Sequence, residues 1–162
     1  MTGVQTCALP ILTIVDLPGQ IGMMRKNISG KTGAERIADY AANMLDNASE
    51  LPKGEWDVIW MSQFLDCFSE AQIVAILQKA AAVMNPKTRL FIMETFWDRQ
   101  QYETTALCLT MTSVYFTALA NGNSKMYHSE DMARLIAQAG LKVMTTHDGI
   151  GRGHSILEVS LP

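Results

Sequence analysis

Several features that mark special environments are missing from the 162-residue chain. Lys and Arg never gather beyond the pair Arg25, Lys26, and the formal net charge is -3. That leaves no electrostatic footprint for a phosphate backbone, and nucleic acid is not an expected partner. No apolar run approaches the roughly 20 residues needed to cross a bilayer, so no membrane partner is expected either. The opening "MTGVQTCALPIL" lacks the basic flank and small-residue cleavage site of a secretory signal. The three cysteines, Cys7, Cys67 and Cys108, form neither a disulfide framework nor a metal-ligand spacing. A reducing, cytoplasmic setting and no metal are the expectation. Internal repeats and low-complexity linkers are absent as well.

What is present is a globular composition, with 48% hydrophobic and 18% charged residues. Met1 to Ile11 resembles sequencing-adapter DNA translated in frame. Residues 1–11 are therefore expected to be a non-native leader and are set aside from fold reasoning. The remainder, 12–162, is one domain's worth of chain and long enough to bury a core. Met84, Met111, Met132 and Met144 sit among apolar neighbours and are expected as core filler.

The β-branched run "LTIVD" reads as a buried strand ending at Asp16, followed by a short helix with Pro18 in its first turn. Gly30, Lys31 and Thr32 evoke a phosphate loop, but position 25, where the first glycine belongs, is arginine. "RIADYAANML" is ambiguous: its alanines favour helix, its place in an alternating pattern favours strand. "EWDVIWM" reads as a strand. "SEAQIVAILQKAAAVM" reads as a helix with Ser69 as N-cap, Gln72 closing a capping box, and Ile73, Ile76, Leu77, Ala80 and Met84 as its core stripe. "TRLFIMET" is the next strand. A long apolar helix spans about 102–120, and a helix capped by Ser129 runs to Ala139 before Gly140. "LKVMTTH" and "HSILEVSL", joined by "DGIGRG", form an antiparallel hairpin. "GIGRG" lies between two strands with no helix behind it, so it is a hairpin turn and not a dinucleotide loop.

The expected architecture is α/β, mostly parallel, closing with a C-terminal antiparallel hairpin. Ligands of open α/β sheets bind beyond the carboxyl ends of the strands, which singles out Asp16, residues 43–46, residues 62–66 and residues 94–98. Asp16 suits the two hydroxyls of a ribose, and is equally a good turn starter before Leu17 and Pro18.

"TIVDLPG", "NMLD", "DVIWMSQFLDCFSE" and "LFIMETF", in that order and spacing, resemble the S-adenosylmethionine-dependent O-methyltransferases of the caffeate and hydroxyindole type. The resemblance runs from about Leu12 to the C-terminus. It implies a Rossmann-like class I methyltransferase sheet lacking its first, central strand, so that 12–162 is a partial catalytic domain. The implied function is transfer of the methyl of S-adenosylmethionine to a hydroxyl oxygen of a small molecule. It also resolves "RIADYAANML" as a strand leading into a turn. Asp16 would bind the cofactor ribose, Asn43 would meet the adenine amino group, and Met44 would pack on the adenine face. Ser62 stands where the family has a lysine on the cofactor side, and Asp66 stands where it has its histidine base. Glu94 matches the acid that helps hold that base. Tyr127 and His128 replace an arginine and a threonine.

These departures keep two other readings open: a catalytically inactive methyltransferase-like interaction module, and a nucleotide-binding oxidoreductase. The oxidoreductase would leave "MSQFLDCFSE" and the terminal hairpin unexplained. The resemblance further implies that the intact parent forms a homodimer through an N-terminal domain, and that this chain by itself is poorly stable and inactive.

Overall fold

The computed structural model describes residues 12–120 and 122–162, so the expected leader at 1–11 lies outside the described residues. The chain divides into two compact units between Pro52 and Lys53. In the first, β1 (Leu12–Asp16) and β2 (Ile37–Ala41) form a parallel two-stranded sheet. They are joined through helix α1 (Pro18–Ile28), with Pro18 in its first turn, and a short 3-10 helix at Ala34–Arg36. The helix propensity of the alanines around β2 loses to its five-residue ladder with β1.

The second unit holds β3 (Val58–Ser62), helix α2 (Glu70–Ala81), β4 (Arg89–Glu94), helices α3 (Glu103–Leu119) and α4 (Ser129–Gln138), and the hairpin β5 (Lys142–Ile150) and β6 (His154–Ser160). Its sheet has the order β3-β4-β6-β5, with β3 and β4 parallel and the other two ladders antiparallel. The expected sequence of parallel pairing followed by an antiparallel hairpin is what the chain adopts. Gly151 and Gly153 take positive φ at the hairpin turn, a region that favours glycine.

Helix α2 begins as its sequence specifies, with Ser69 and Gln72 closing a reciprocal capping box. Ile73, Ile76, Leu77 and Ala80 are fully buried, as are Leu90 and Ile92 of β4 and Met132 and Ile136 of α4. These residues make the core of the second unit. Side chains on a strand alternate between faces, so burial of Leu90 and Ile92 carries Glu94 to the same face, and only 2% of its surface remains exposed.

Two expectations are corrected. Met84 and Met132 are core residues, but Met111 and Met144 are each 53% exposed. The cap of α4 is His128, whose Nδ1 accepts the Glu130 N–H at 3.1 Å, and Ser129 is the first helical residue. The reason is nonlocal: Asp98 Oδ1 takes the Ser129 N–H at 2.8 Å and Oδ2 takes its hydroxyl at 2.5 Å, so Ser129 is already engaged.

Candidate active site

Candidate residues stand at strand carboxyl ends in each unit. In the first, Asp16 pairs with Ala41, and its carbonyl accepts the Ala42 N–H at 2.9 Å, which fixes β1 and β2 to end side by side. Asp16 is exposed, and its Oδ1 accepts the Leu17 N–H at 2.7 Å, which turns the chain into α1. Among the described residues no hydrogen bond to its Oδ2 stands beside that one. One strand over, the exposed Asn43 accepts the Leu45 N–H at 3.0 Å through Oδ1, and the half-buried Met44 follows. An amide oxygen has two lone pairs, so this bond leaves Asn43 one more to offer. A carboxylate beside an amide suits a ribose diol and an exocyclic amine. Both groups are acceptors, and the hydroxyls and amine of a nucleoside are donors.

In the second unit the chain leaves β3 at Ser62 and turns sharply at Gln63, whose φ of 46° is the one positive value at a non-glycine among the described residues. A bulky residue held in that region costs energy and signals a turn that its surroundings enforce. The enforcing contacts are specific. The Gln63 N–H extends the ladder to the Met93 carbonyl at 2.8 Å, and Glu94 Oε1 accepts the N–H groups of Phe64 at 3.0 Å and Leu65 at 2.9 Å. The Gln63 amide also lies 2.8 Å from His154 Nε2 at the start of β6. Because β6 runs antiparallel to β4, its first residue reaches the edge where β3 and β4 end. His154 is thus a polar residue of this edge that the sequence reading missed. The topology of the hairpin, more than any local motif, is the signal that could have found it.

Asp66 lies in the following 3-10 helix, Leu65–Cys67, and its Oδ1 accepts the Cys67 thiol at 3.5 Å. Burial raises its carboxyl above the ordinary range, against the lowering effect of that thiol bond. Glu94 is pushed up to about 7, first by burial and then by the charge of Asp66, with the amides of its cradle opposing. Among the described residues its buried Oε2 has no hydrogen-bond partner. The Cys67 thiol is pushed up to about 11 by burial and by the neighbouring Asp66, so it stays protonated at neutral pH. The turn therefore brings Ser62, Asp66 and Glu94 to one edge of the second unit's sheet.

Among the aromatic side chains, Phe96 is wholly buried in the core, whereas Trp60 and Tyr115 are 52% and 56% exposed. Among the described residues no group of three or more His, Cys, Asp or Glu side chains is arranged to hold a metal ion, and no helix is long and apolar enough to cross a membrane.

No family model matches the sequence, and no curated protein matches it. Solved structures do. Mitomycin 7-O-methyltransferase MmcR superposes with a TM-score of 0.77 at 20% identity, over 93% of this chain and 41% of that one. The S-adenosylmethionine-dependent methyltransferase SibL matches with a TM-score of 0.76 at 26% identity, over 93% and 43%. The O-methyltransferase NcsB1 from neocarzinostatin biosynthesis, solved with S-adenosylmethionine and 2-hydroxy-5-methyl naphthoic acid, matches with a TM-score of 0.70 at 19% identity, over 93% and 41%. The chain has the α/β fold found in the C-terminal part of class I methyltransferases. It spans about two fifths of the length of the structures it matches.

Proposed function

We propose that residues 12–162 are part of the catalytic domain of an enzyme that moves the methyl group of S-adenosylmethionine to a hydroxyl oxygen of a small molecule. The observation that carries this reading is the shared fold, with acids at the carboxyl ends of β1 and β4 and in the turn after β3. Asp16 would accept the ribose hydroxyls, Asn43 the adenine amine, and Met44 would lie against the base. Ser62 would complete the cofactor side at the end of β3.

The cofactor supplies a methyl already activated on its sulfonium sulfur. What remains for the protein is to align an acceptor oxygen and remove its proton. Asp66 is assigned to the proton: its carboxylate would take it from the acceptor hydroxyl whose oxygen receives the methyl. Burial makes Asp66 a stronger base than an exposed aspartate, which is the direction general-base catalysis needs at neutral pH. Glu94 holds the backbone of the Asp66 turn through Phe64 and Leu65. The acceptor would be a small hydroxylated compound. The free Cys67 and Cys108 accord with a cytoplasmic setting, and the intact parent is proposed to be a homodimer through a region outside this chain.

One observation favours a second reading, a catalytically inactive module: the Asp66 carboxylate already accepts the Cys67 thiol, and Glu94 Oε1 is committed to backbone amides. Methyl transfer from labelled S-adenosylmethionine to a panel of phenols, measured on the intact parent enzyme, separates the two. Turnover that falls at least about 100-fold in Asp66→Asn supports the assignment. Turnover that Asp66→Asn leaves unchanged refutes the base, and no transfer to any acceptor favours the module.

A further inference from the structure

Gln63 is held in a backbone conformation that its residue type disfavours, and the bonds that enforce the turn do not use its side chain. Glycine would meet a φ of 46° without strain, because it has no Cβ. It would also donate its N–H to the Met93 carbonyl equally well, and the next two amides would still reach Glu94. What glutamine adds is the side-chain amide that meets His154 Nε2 at 2.8 Å, across 91 positions of chain. Strain kept at such a point directs attention to what the side chain does.

His154 is built as a fixed post. On one side of it, Gln100 Nε2 donates to the Gly153 carbonyl at 2.9 Å and to the Phe96 carbonyl at 2.7 Å, which pins the hairpin turn to the loop after β4. On the other side, Ser155 is fully buried and pairs with Glu94, and its hydroxyl donates to Asp148 Oδ1 at 2.7 Å. Paired residues on adjacent strands share a face, and successive residues alternate. Glu94 therefore grips the turn from one face of the sheet and His154 from the other. An amide nitrogen only donates, so His154 Nε2 is the acceptor and the ring's own proton sits on Nδ1.

The tie closes the last freedom of the turn. Met93 holds the Gln63 N–H and Glu94 holds the amide that follows, so the side chain is the remaining direction from the Gln63 Cα, and His154 takes it. A swing of φ into the negative region that glutamine prefers would carry the side chain off the imidazole. Asp66 stands three residues on, in the 3-10 helix that this turn starts. We propose that His154 is a positioning residue: acting through Gln63, it keeps the turn after β3 in the strained conformation that presents Asp66. The inference rests on the methyltransferase reading in one respect, that Asp66 receives the acceptor's proton.

Two amides separate the tie from the space His154 fills. In His154→Gln, Oε1 falls where Nε2 stands and accepts from Gln63, whereas in His154→Asn the same oxygen stops short. In the intact parent, with labelled S-adenosylmethionine and the phenol panel, His154→Asn is expected to lower kcat at least about 10-fold. KM for S-adenosylmethionine should stay within about two-fold, and His154→Gln should restore most of the kcat. Adding His154→Asn to Gln63→Gly is expected to cost nothing more, since glycine holds the turn without strain. In the 162-residue chain itself, with no acceptor, hydrogen exchange at the Phe64 and Leu65 amides should quicken at least about 10-fold in His154→Asn and not in His154→Gln. An active parent that keeps its kcat in His154→Asn, or loses it equally in both variants, overturns the proposal and leaves the methyltransferase reading standing. So does exchange that His154→Asn leaves unchanged, or a loss that persists beside Gln63→Gly, because His154 would then act on the substrate directly. A parent that transfers methyl to no acceptor overturns that reading, and the role of His154 with it.

Discussion

Replacing Glu94 by glutamine isolates what its buried carboxyl does to stability. Glutamine keeps an Oε1 to accept the Phe64 and Leu65 N–H groups, and keeps the volume, but it cannot ionise. In the unfolded chain Glu94 ionises near its ordinary 4.5, whereas in the folded chain it holds its proton until about 7. A raised pKa in the folded state means that the neutral carboxyl's stabilising contribution is complete below pH 4.5. It is lost progressively as pH rises through about 7, and the curve then levels. At 1.36 kcal/mol for each tenfold change, the span from 4.5 to about 7 amounts to about 3 kcal/mol. Carboxylates elsewhere titrate alike in both proteins and cancel in the difference. Asp66 is the exception, since it loses a like-charged neighbour and gains a little stability at high pH, in the same direction. Near pH 5 the two proteins should be nearly equal, because a protonated Oε2 and an amide Nε2 both meet a site without a hydrogen-bond partner. By about pH 8.5 Glu94→Gln should be the more stable by about 2.5 kcal/mol. Urea unfolding followed by tryptophan fluorescence reads the relevant unit, since Trp56, Trp60 and Trp97 all lie in it. A difference that stays constant from pH 5 to 8.5, or a glutamine variant that is weaker at high pH, would refute the reasoning.

Gly153 has a φ of 93°, and a Cβ added there would run into Gln100 Oε1. Gln100 is not free to retreat without losing its bonds to the Phe96 and Gly153 carbonyls, so Gly153→Ala should cost about 1–3 kcal/mol in chemical denaturation. Gly151→Ala, with open space and a φ of 57°, should cost less, and equal losses would show that the Gln100 contact is unimportant. Ser69→Ala removes half of the α2 capping box and should lower stability by about 1 kcal/mol, with thermal unfolding as the measurement.

What could be read from the sequence was whatever local chemistry decides. Pro18 at the start of α1, the Ser69 and Gln72 box and the glycines of the hairpin each specify their own backbone, and each stands where expected. The reading faltered where a distant residue decides. Ser129 has the composition of an N-cap, but Asp98 claims both of its donors and the cap passes to His128. Likewise, Met111 gave no local sign of facing outward, because an uncharged helix has no polar face to contrast with an apolar one.

Glu94 shows how far such reasoning extends into the candidate site. An acid at the end of a strand reads locally as solvated, and that is the wrong reading here. Strand parity alone corrects it: Leu90 and Ile92 commit their face of β4 to the core, and Glu94 shares that face. Parity does not say what a buried carboxyl will meet. That depends on the turn after β3, which bends back at Gln63 so that two consecutive amides point at Oε1, and on β6, whose antiparallel course brings His154 to Gln63. Each contact joins residues about 30 to 90 positions apart in the chain and exists only once the β3-β4-β6 order is set. The residue types at this edge were therefore legible, but their protonation was not, because pairing between strands decides which carboxyl is buried and which amides face it.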